Sequence, residues 1–217
     1  HLHRTGAEDI NGPAALVTGN AVVGSPGWGI VHHDSHAILQ DNVVFDVVGA
    51  GIAAEAGNEL GAWRNNITIK TTGAEAEGSN IPNFRREQRF DFGFQGEGYW
   101  VQGAGQVAME GNIAVSSNEA GVSIFGGPLG EEKILDAKTI AVENLPQPIR
   151  SRVAQPGIDE IDVNHAPLRQ LSGFQSYNSR FGISLWAHMT NFDGQHEFDN
   201  PSTTVAHQAR TLINNFK

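Results

Sequence analysis

A doubled signature returns along the chain at nearly constant spacing, and it restricts the fold more than any other feature. Gly followed by an apolar or aromatic residue and a short extended run occurs at Gly29-Ile30-Val31, Gly51-Ile52-Ala53, Gly98-Tyr99-Trp100, Gly121-Val122-Ser123 and Gly182-Ile183-Ser184. Asn opening a β-branched run occurs at Asn20-Ala21-Val22-Val23, Asn42-Val43-Val44-Phe45, Asn66-Ile67-Thr68-Ile69 and Asn112-Ile113-Ala114-Val115. Gly29 to Gly51 and Asn20 to Asn42 are each 22 residues; Gly98 to Gly121 is 23 and Asn42 to Asn66 is 24. Leucine-rich repeats need Leu at fixed offsets, which this chain lacks. Helical repeats run longer and carry a 3.6-residue pattern. The spacing therefore predicts an all-β chain, a right-handed parallel β-helix of 22–24-residue coils stacked at the inter-strand distance of ~4.8 Å. The Asn copies then occupy equivalent bends, where amides can ladder, and Gly supplies other bends. The competing reading is a β-sandwich of short strands with Gly/Asn turns.

Two stretches break the period: insertions at 74–95 and at 145–173, the second holding Pro146, Pro148, Pro156 and Pro167. Loops of that length in a compact domain are usually functional or disordered, and in a repeat array they wall one face. No domain boundary is visible, so 1–217 reads as a single domain. Residues 206–214 could form a short helix or another coil. The pattern starts and stops mid-coil and the chain opens on His1, so flanking domains of the same chain are expected. The net charge of −10 argues against nucleic acid as a partner. No apolar run approaches the ~20 residues that a span requires, so no membrane insertion is expected. With no Cys, thiolate metal sites, disulfides and Cys nucleophiles are excluded.

Strand alternation sorts the chemistry. Ile52 and Ala54 should face inward. Aligning coils on the Gly puts His33, Glu55, Gln102, Phe125 and Trp186 in one outward column. Val31, Ala53, Trp100, Ser123 and Ser184 form its neighbour. His33 beside Glu55 is an acid/base pair in form and equally a surface ion pair. His1, His3, Asp34 and His36 are candidate metal ligands, since imidazoles and a carboxylate suit a divalent ion; solvated histidines are the plain alternative. Trp100 could be a sugar-stacking platform or a Trp buried under a loop, and Trp186 is a second platform. Arg85 and Arg86, with Arg4, could grip a uronate carboxylate, though pairing with Glu87 and Asp91 is equally open. The acidic runs Glu131-Glu132 and Asp159-Glu160 with Asp162 leave calcium possible.

These pieces in their order resemble the β-helix region of the fibrocystin and cell-surface hyaluronidase (cell-migration-inducing, hyaluronan-binding) family. They are His1-Leu2-His3 with Gly6, Val31-His32 before Gln40-Asp41-Asn42-Val43-Val44, and Gly49 through Glu55-Ala56-Gly57 with Glu59. They continue with Tyr99-Trp100, Glu119-Ala120-Gly121-Val122 and His165-Ala166-Pro167-Leu168 before Asn178 and Gly182-Ile183. Val122 is aliphatic where the family is aromatic, and the family's cysteines are missing, which suggests a bacterial member. The resemblance implies a right-handed β-helix, an extracellular or cell-surface setting and a glycan-related role. It matches His3, His32, Glu55, Trp100 and His165, and thereby selects His32 where alternation prefers His33.

Three functions are compatible. A polysaccharide hydrolase needs two carboxylates ~5–10 Å apart, with Glu55 paired to Glu59, Asp34 or Glu97. A lyase needs a base such as His32 or His33 and a cation such as Arg4 or the Arg85 cluster. A non-catalytic glycan-binding, adhesion or structural module needs neither. Convergence of the His and Glu residues in one cleft beneath the insertions separates the first two from the third.

Overall fold

The computed structural model describes residues 1–54, 56–73, 93–103, 106–125, 139–147, 150–151, 156–157, 159–163, 166–186 and 213–217. A first circuit of the chain holds β1 (Leu2–His3), β2 (Ala15–Thr18) and β3 (Ala21–Val23). The second holds β4 (Ile30–His33), β5 (His36–Gln40) and β6 (Val43–Val47). The third holds β7 (Ile52–Ala54), β8 (Leu60–Arg64) and β9 (Ile67–Thr71). The fourth holds β10 (Tyr99–Gln102), β11 (Gln106–Glu110) and β12 (Ile113–Ser117). After β13 (Ala120–Phe125) come β14 (Thr139–Ala141), β15 (Glu160–Asp162), β16 (Gln170–Ser172), β17 (Gln175–Tyr177), β18 (Phe181–Trp186) and β19 (Ile213–Asn214).

Successive strands go to three different parallel sheets in turn. The first runs β1-β4-β7-β10-β13-β18, the second β2-β5-β8-β11-β16-β19 and the third β3-β6-β9-β12-β17. The molecule is all-β, with parallel sheets stacked in register, an arrangement compatible with a parallel β-helix. The register follows the predicted columns. Val31 pairs Ala53, Ala53 pairs Trp100, Trp100 pairs Ser123 and Ser123 pairs Ser184. Gln102 pairs Phe125, and Phe125 pairs Trp186.

Inward residues of the three sheets meet in one core. Ile52, Ala54, Tyr99, Val122 and Ile124 enter from the first sheet, Leu39 and Trp63 from the second, and Val44 and Ala114 from the third. Each large apolar side chain buried this way contributes on the order of 1.5–3 kcal/mol. Gly51 and Gly98 open strands at points where the sheets crowd. A Cβ on Gly51 would stand 2.5 Å from Thr68 Cγ2, and one on Gly98 2.7 Å from Ala114 Cβ.

The corner between the second and third sheets is an asparagine ladder. Asn42 Nδ2 donates to Asn66 Oδ1 at 2.9 Å, and Asn66 Nδ2 to Asn112 Oδ1 at 2.9 Å. Each Oδ1 also accepts the backbone N–H of the preceding Asn, at 3.1 and 3.0 Å. Asn20 caps the series on Asn42 Oδ1. Buried amides thus satisfy one another and the bend backbone together.

The second insertion differs from its expected bounds of 145–173. β13 ends at Phe125 and the second sheet resumes at Gln170, before Gly173. The prolines marked the middle of the excursion, while Leu168 and Leu171, buried in the core, return the chain to the sheets. Part of this excursion is a β14–β15 antiparallel pair, with Ile140 facing Ile161. It packs over the corner between the first and second sheets. Asn144 accepts from Ile10 N–H at 3.0 Å and donates to Glu8 O at 3.2 Å, and Val163 lies against Gly57 and Gly103. At 206–214, Ile213–Asn214 is a strand of the second sheet; its other residues lie outside the described ones, as do 74–92 of the first insertion.

Candidate functional site at the corner of the first and second sheets

β1 and β4 are neighbours, with His3 opposite His33. Their side chains therefore project from the same face one strand apart, and the rings meet edge to face at 4.6 Å. His1 stacks on His33 at 5.5 Å, its Nε2 3.4 Å from His33 Nδ1. Asp34 leaves β4 with φ 45°, a left-handed turn that Asp tolerates. The turn sets its Oδ2 3.5 Å from His33 Nε2. One potential ligand atom from each of His3, His33 and Asp34 falls within 4.8 Å of the others.

Glu59 anchors the corner from beneath. Its Oε1 accepts from Ala56 N–H at 2.7 Å and Asp34 N–H at 3.3 Å, and its Oε2 from Gly57 N–H at 2.7 Å. Burial raises this carboxyl to about 7, while the backbone donors pull it back towards the ionised form. Glu59 is thus a fastener of the turn that carries Asp34.

Above the corner, the β14–β15 pair roofs a cleft of about 530 Å³. Arg4, Asp34, His36, Asn58, Thr139 and Asn144 are among its lining residues. Two buried atoms facing this region, His36 Nδ1 and Asn58 Oδ1, have no hydrogen-bond partner among the described residues. The cleft thus joins a guanidinium, an imidazole, a carboxylate and amide and hydroxyl groups.

The other expected site residues divide. His32 is not on this surface. It pairs with Leu2 and Ala54 in the inward column of the first sheet and is fully buried. Its Nε2–H donates to Ser35 O at 2.8 Å, which leaves Nδ1 to accept from Trp63 Nε1–H at 3.2 Å. Burial holds its pKa down at about 4, so the ring is neutral. A base so enclosed has no route to substrate, and alternation, which turned His33 outward, was the better guide. His36 belongs to the cleft and not to the His3–His33–Asp34 cluster, because it opens the second sheet beyond the turn.

Trp100 does project outward, yet it is only 2% exposed, packed with Ala50 and Ala53 and stacked on Phe125 at 5.3 Å. Trp28 packs against the same cluster, and Phe94 meets Trp28 edge to face at 4.5 Å. Of the two readings of Trp100, the buried one holds, in a small outer core, and Gln102, 4% exposed, is closed in as well. Glu97 lies in the same region: a Cβ on Gly93 would touch both Glu97 Oε2 at 3.3 Å and Trp100 Cβ at 3.0 Å. Burial first, and the charge of Glu119 second among the raising influences, lift Glu97 to about 7. Its Oε2 and Trp100 Nε1 have no hydrogen-bond partner among the described residues.

Glu55, Arg85, Arg86 and His165 lie outside the described residues, as do Glu131 and Glu132; Trp186 is placed only as a strand position. Glu160, considered for calcium, accepts from the Thr139 hydroxyl at 2.8 Å within the hairpin. Asn58, Thr139 and Asn144 escaped the sequence reading. Asn144 reaches the corner from far along the chain, and no periodic signal connects the two. Among known proteins, no family model, no curated protein and no solved structure matches the chain.

Proposed function

We propose that the chain is a right-handed parallel β-helix that acts outside the cell on a polysaccharide, hyaluronan-like or otherwise uronate-containing. The observation that carries this reading is the cleft at the first corner. It sets Arg4 with His36 and Asp34 and edges them with Asn58 and Thr139. A guanidinium suits a uronate carboxylate, an imidazole and a carboxylate suit proton transfer, and amide and hydroxyl groups suit sugar hydroxyls. The family resemblance points to the same substrate class. In the hydrolytic form of the reaction Glu55 acts with a second carboxyl such as Asp34 while water adds across the cleaved glycosidic bond; in the eliminative form a corner histidine takes the proton next to the uronate carboxylate that Arg4 holds, the glycosidic C–O bond breaks to form the unsaturated end, and the leaving oxygen picks up a proton. Under this reading neither nucleic acid nor membrane insertion is involved.

A depolymerisation screen against hyaluronan, chondroitin, alginate and pectin, with and without calcium, tests it. Shorter chains with unsaturated ends mean a lyase, and Arg4→Ala then lowers turnover. Shorter chains without them mean a hydrolase, and Glu55→Gln abolishes cleavage. The burial of His32, which takes one candidate base out of reach of substrate, favours a second reading, a non-catalytic glycan-binding or adhesion module. Under that reading the same glycans retard the protein in affinity electrophoresis and none is shortened.

A further inference from the structure

We propose that His3, His33 and Asp34 bind a zinc ion, with the fourth coordination position open to solvent. The set comes from two neighbouring strands and the turn that follows one of them, so the backbone ladder holds the ligands together. Their ligand atoms already lie within 4.8 Å of one another. In a tetrahedral zinc site with bonds of 2.0–2.1 Å they stand roughly 3.4 Å apart. His3 is exposed on an edge strand and has free torsions to close that difference. Asp34 needs little movement, because its Oδ2 already stands 3.5 Å from His33 Nε2.

A plain ion pair between His33 and Asp34 accounts for two of these groups only. It does not account for the His3 imidazole, whose ring meets that of His33 at 4.6 Å. Protonated rings at such distances repel, whereas neutral rings present lone pairs to a shared cation. Two imidazoles and one carboxylate are a donor set for zinc and its neighbours, and calcium prefers an all-oxygen set. Three protein ligands with one open position is the form of zinc site that activates water. Asp34 also lines the roofed cleft, so the ion would sit at its edge. The proposal does not depend on the glycan reading.

The test is equilibrium dialysis and calorimetry of the metal-stripped full-length protein with zinc chloride alone near neutral pH. Cobalt(II) is used in parallel to report coordination by its visible spectrum. One zinc per chain is expected, with tetrahedral cobalt bands. His33→Ala and Asp34→Asn should each weaken binding at least ~10-fold, with thermal melts near the parent's. His36→Ala, outside the cluster, should leave affinity unchanged. Acidification should release the ion, since protons compete for the imidazoles. His3→Ala is the second variant should either turn variant fail to fold. Zinc binding no tighter in the parent than in His33→Ala, or a bound ion that calcium displaces, overturns the proposal.

Discussion

Two corners of the same three-sheet frame are built on opposite plans. Between the second and third sheets each circuit turns on the same residue, Asn20, Asn42, Asn66 and then Asn112, and each amide is tied to the next. Between the first and second sheets the polar residues described do not repeat: Arg4, Asp34 with Ser35, and the Asn58–Glu59 turn all differ, and only Gly57 and Gly103 stack as copies among the described residues. The hydrogen bonds there run to roles used once, such as Glu59 on the Asp34 amide. The repeated corner has one task, satisfying buried bend backbone, and one solution copied along the stack. The unrepeated corner gathers imidazoles, carboxylates and a guanidinium and is roofed by an excursion. In a periodic chain, chemistry collects where the period is abandoned.

If this division is right, the largest loss of stability should come from the ladder. Asn66→Ala removes the acceptor of the Asn42 backbone and side-chain N–H groups and the donor to Leu39 O and Asn112 Oδ1. Leaving buried groups unpaired costs ~1–3 kcal/mol each. A total loss of ~4 kcal/mol or more in urea unfolding is expected. A loss under ~1 kcal/mol would mean that the ladder is incidental to the stack.

His32 is the next test, because it joins the first sheet to Trp63 of the second. Its folded pKa of about 4 lies below the ordinary 6.5. The unfolded chain therefore takes up a proton between those values while the folded chain does not. Stability from this group is complete above pH 6.5 and falls as pH drops towards 4, by ~3 kcal/mol in all at ~1.4 kcal/mol per unit. Glu59 and Glu97 work against it. Raised from 4.5 to about 7, they lose stability as pH climbs through that window. Between pH 4.5 and 6.5 the two carboxyls outweigh the one imidazole, so stability falls as pH climbs, and His32→Gln should steepen that fall by ~1.4 kcal/mol per pH unit. An unchanged slope would place the titration elsewhere.

Much of the frame was legible because it repeats. The Gly and Asn spacings predicted the register of much of the first and third sheets and the ladder residue for residue, since a copied bend needs a copied side chain. Alternation likewise turned Ile52 and Ala54 inward and His33 outward. The site was legible only in pieces. His3, His33, Asp34 and Arg4 carry chemistry and sit at strand ends, where sequence can place them. That Trp100 is closed in was legible only as one of two alternatives, because its cover includes Trp28 and Phe125, each from a different circuit. The cleft was not legible either, because its roof is brought by a hairpin with no copy in the stack.

Gly57→Ala probes how the roof is seated. Gly57 has φ 92°, and an added Cβ would stand 2.9 Å from Val163 Cγ2 and 3.0 Å from Gln102 O. Left-handed strain and the contact together predict a loss of ~1–3 kcal/mol. Hydrogen exchange should rise chiefly at Ile140 and Ile161 of the hairpin. Faster exchange spread evenly over the three sheets would instead make the roof an integral part of the core.

The smallest change belongs to His33→Ala, and it is the sharpest test of the contrast between the corners. His33 lies on the outer side of the first sheet, its side chain 21% exposed, and its ion pair with Asp34 is long at 3.5 Å. A partly exposed pair of this kind contributes ~0–1 kcal/mol, and the strand hydrogen bonds on either side are backbone and survive the substitution. Without metal, the unfolding free energy of His33→Ala in urea should therefore stay within ~1 kcal/mol of the parent. A residue that two imidazoles and a carboxylate surround, yet that the fold can lose at little cost, is held there for something other than the fold. Were His33→Ala instead to cost as much as Asn66→Ala, the two corners would be structural alike.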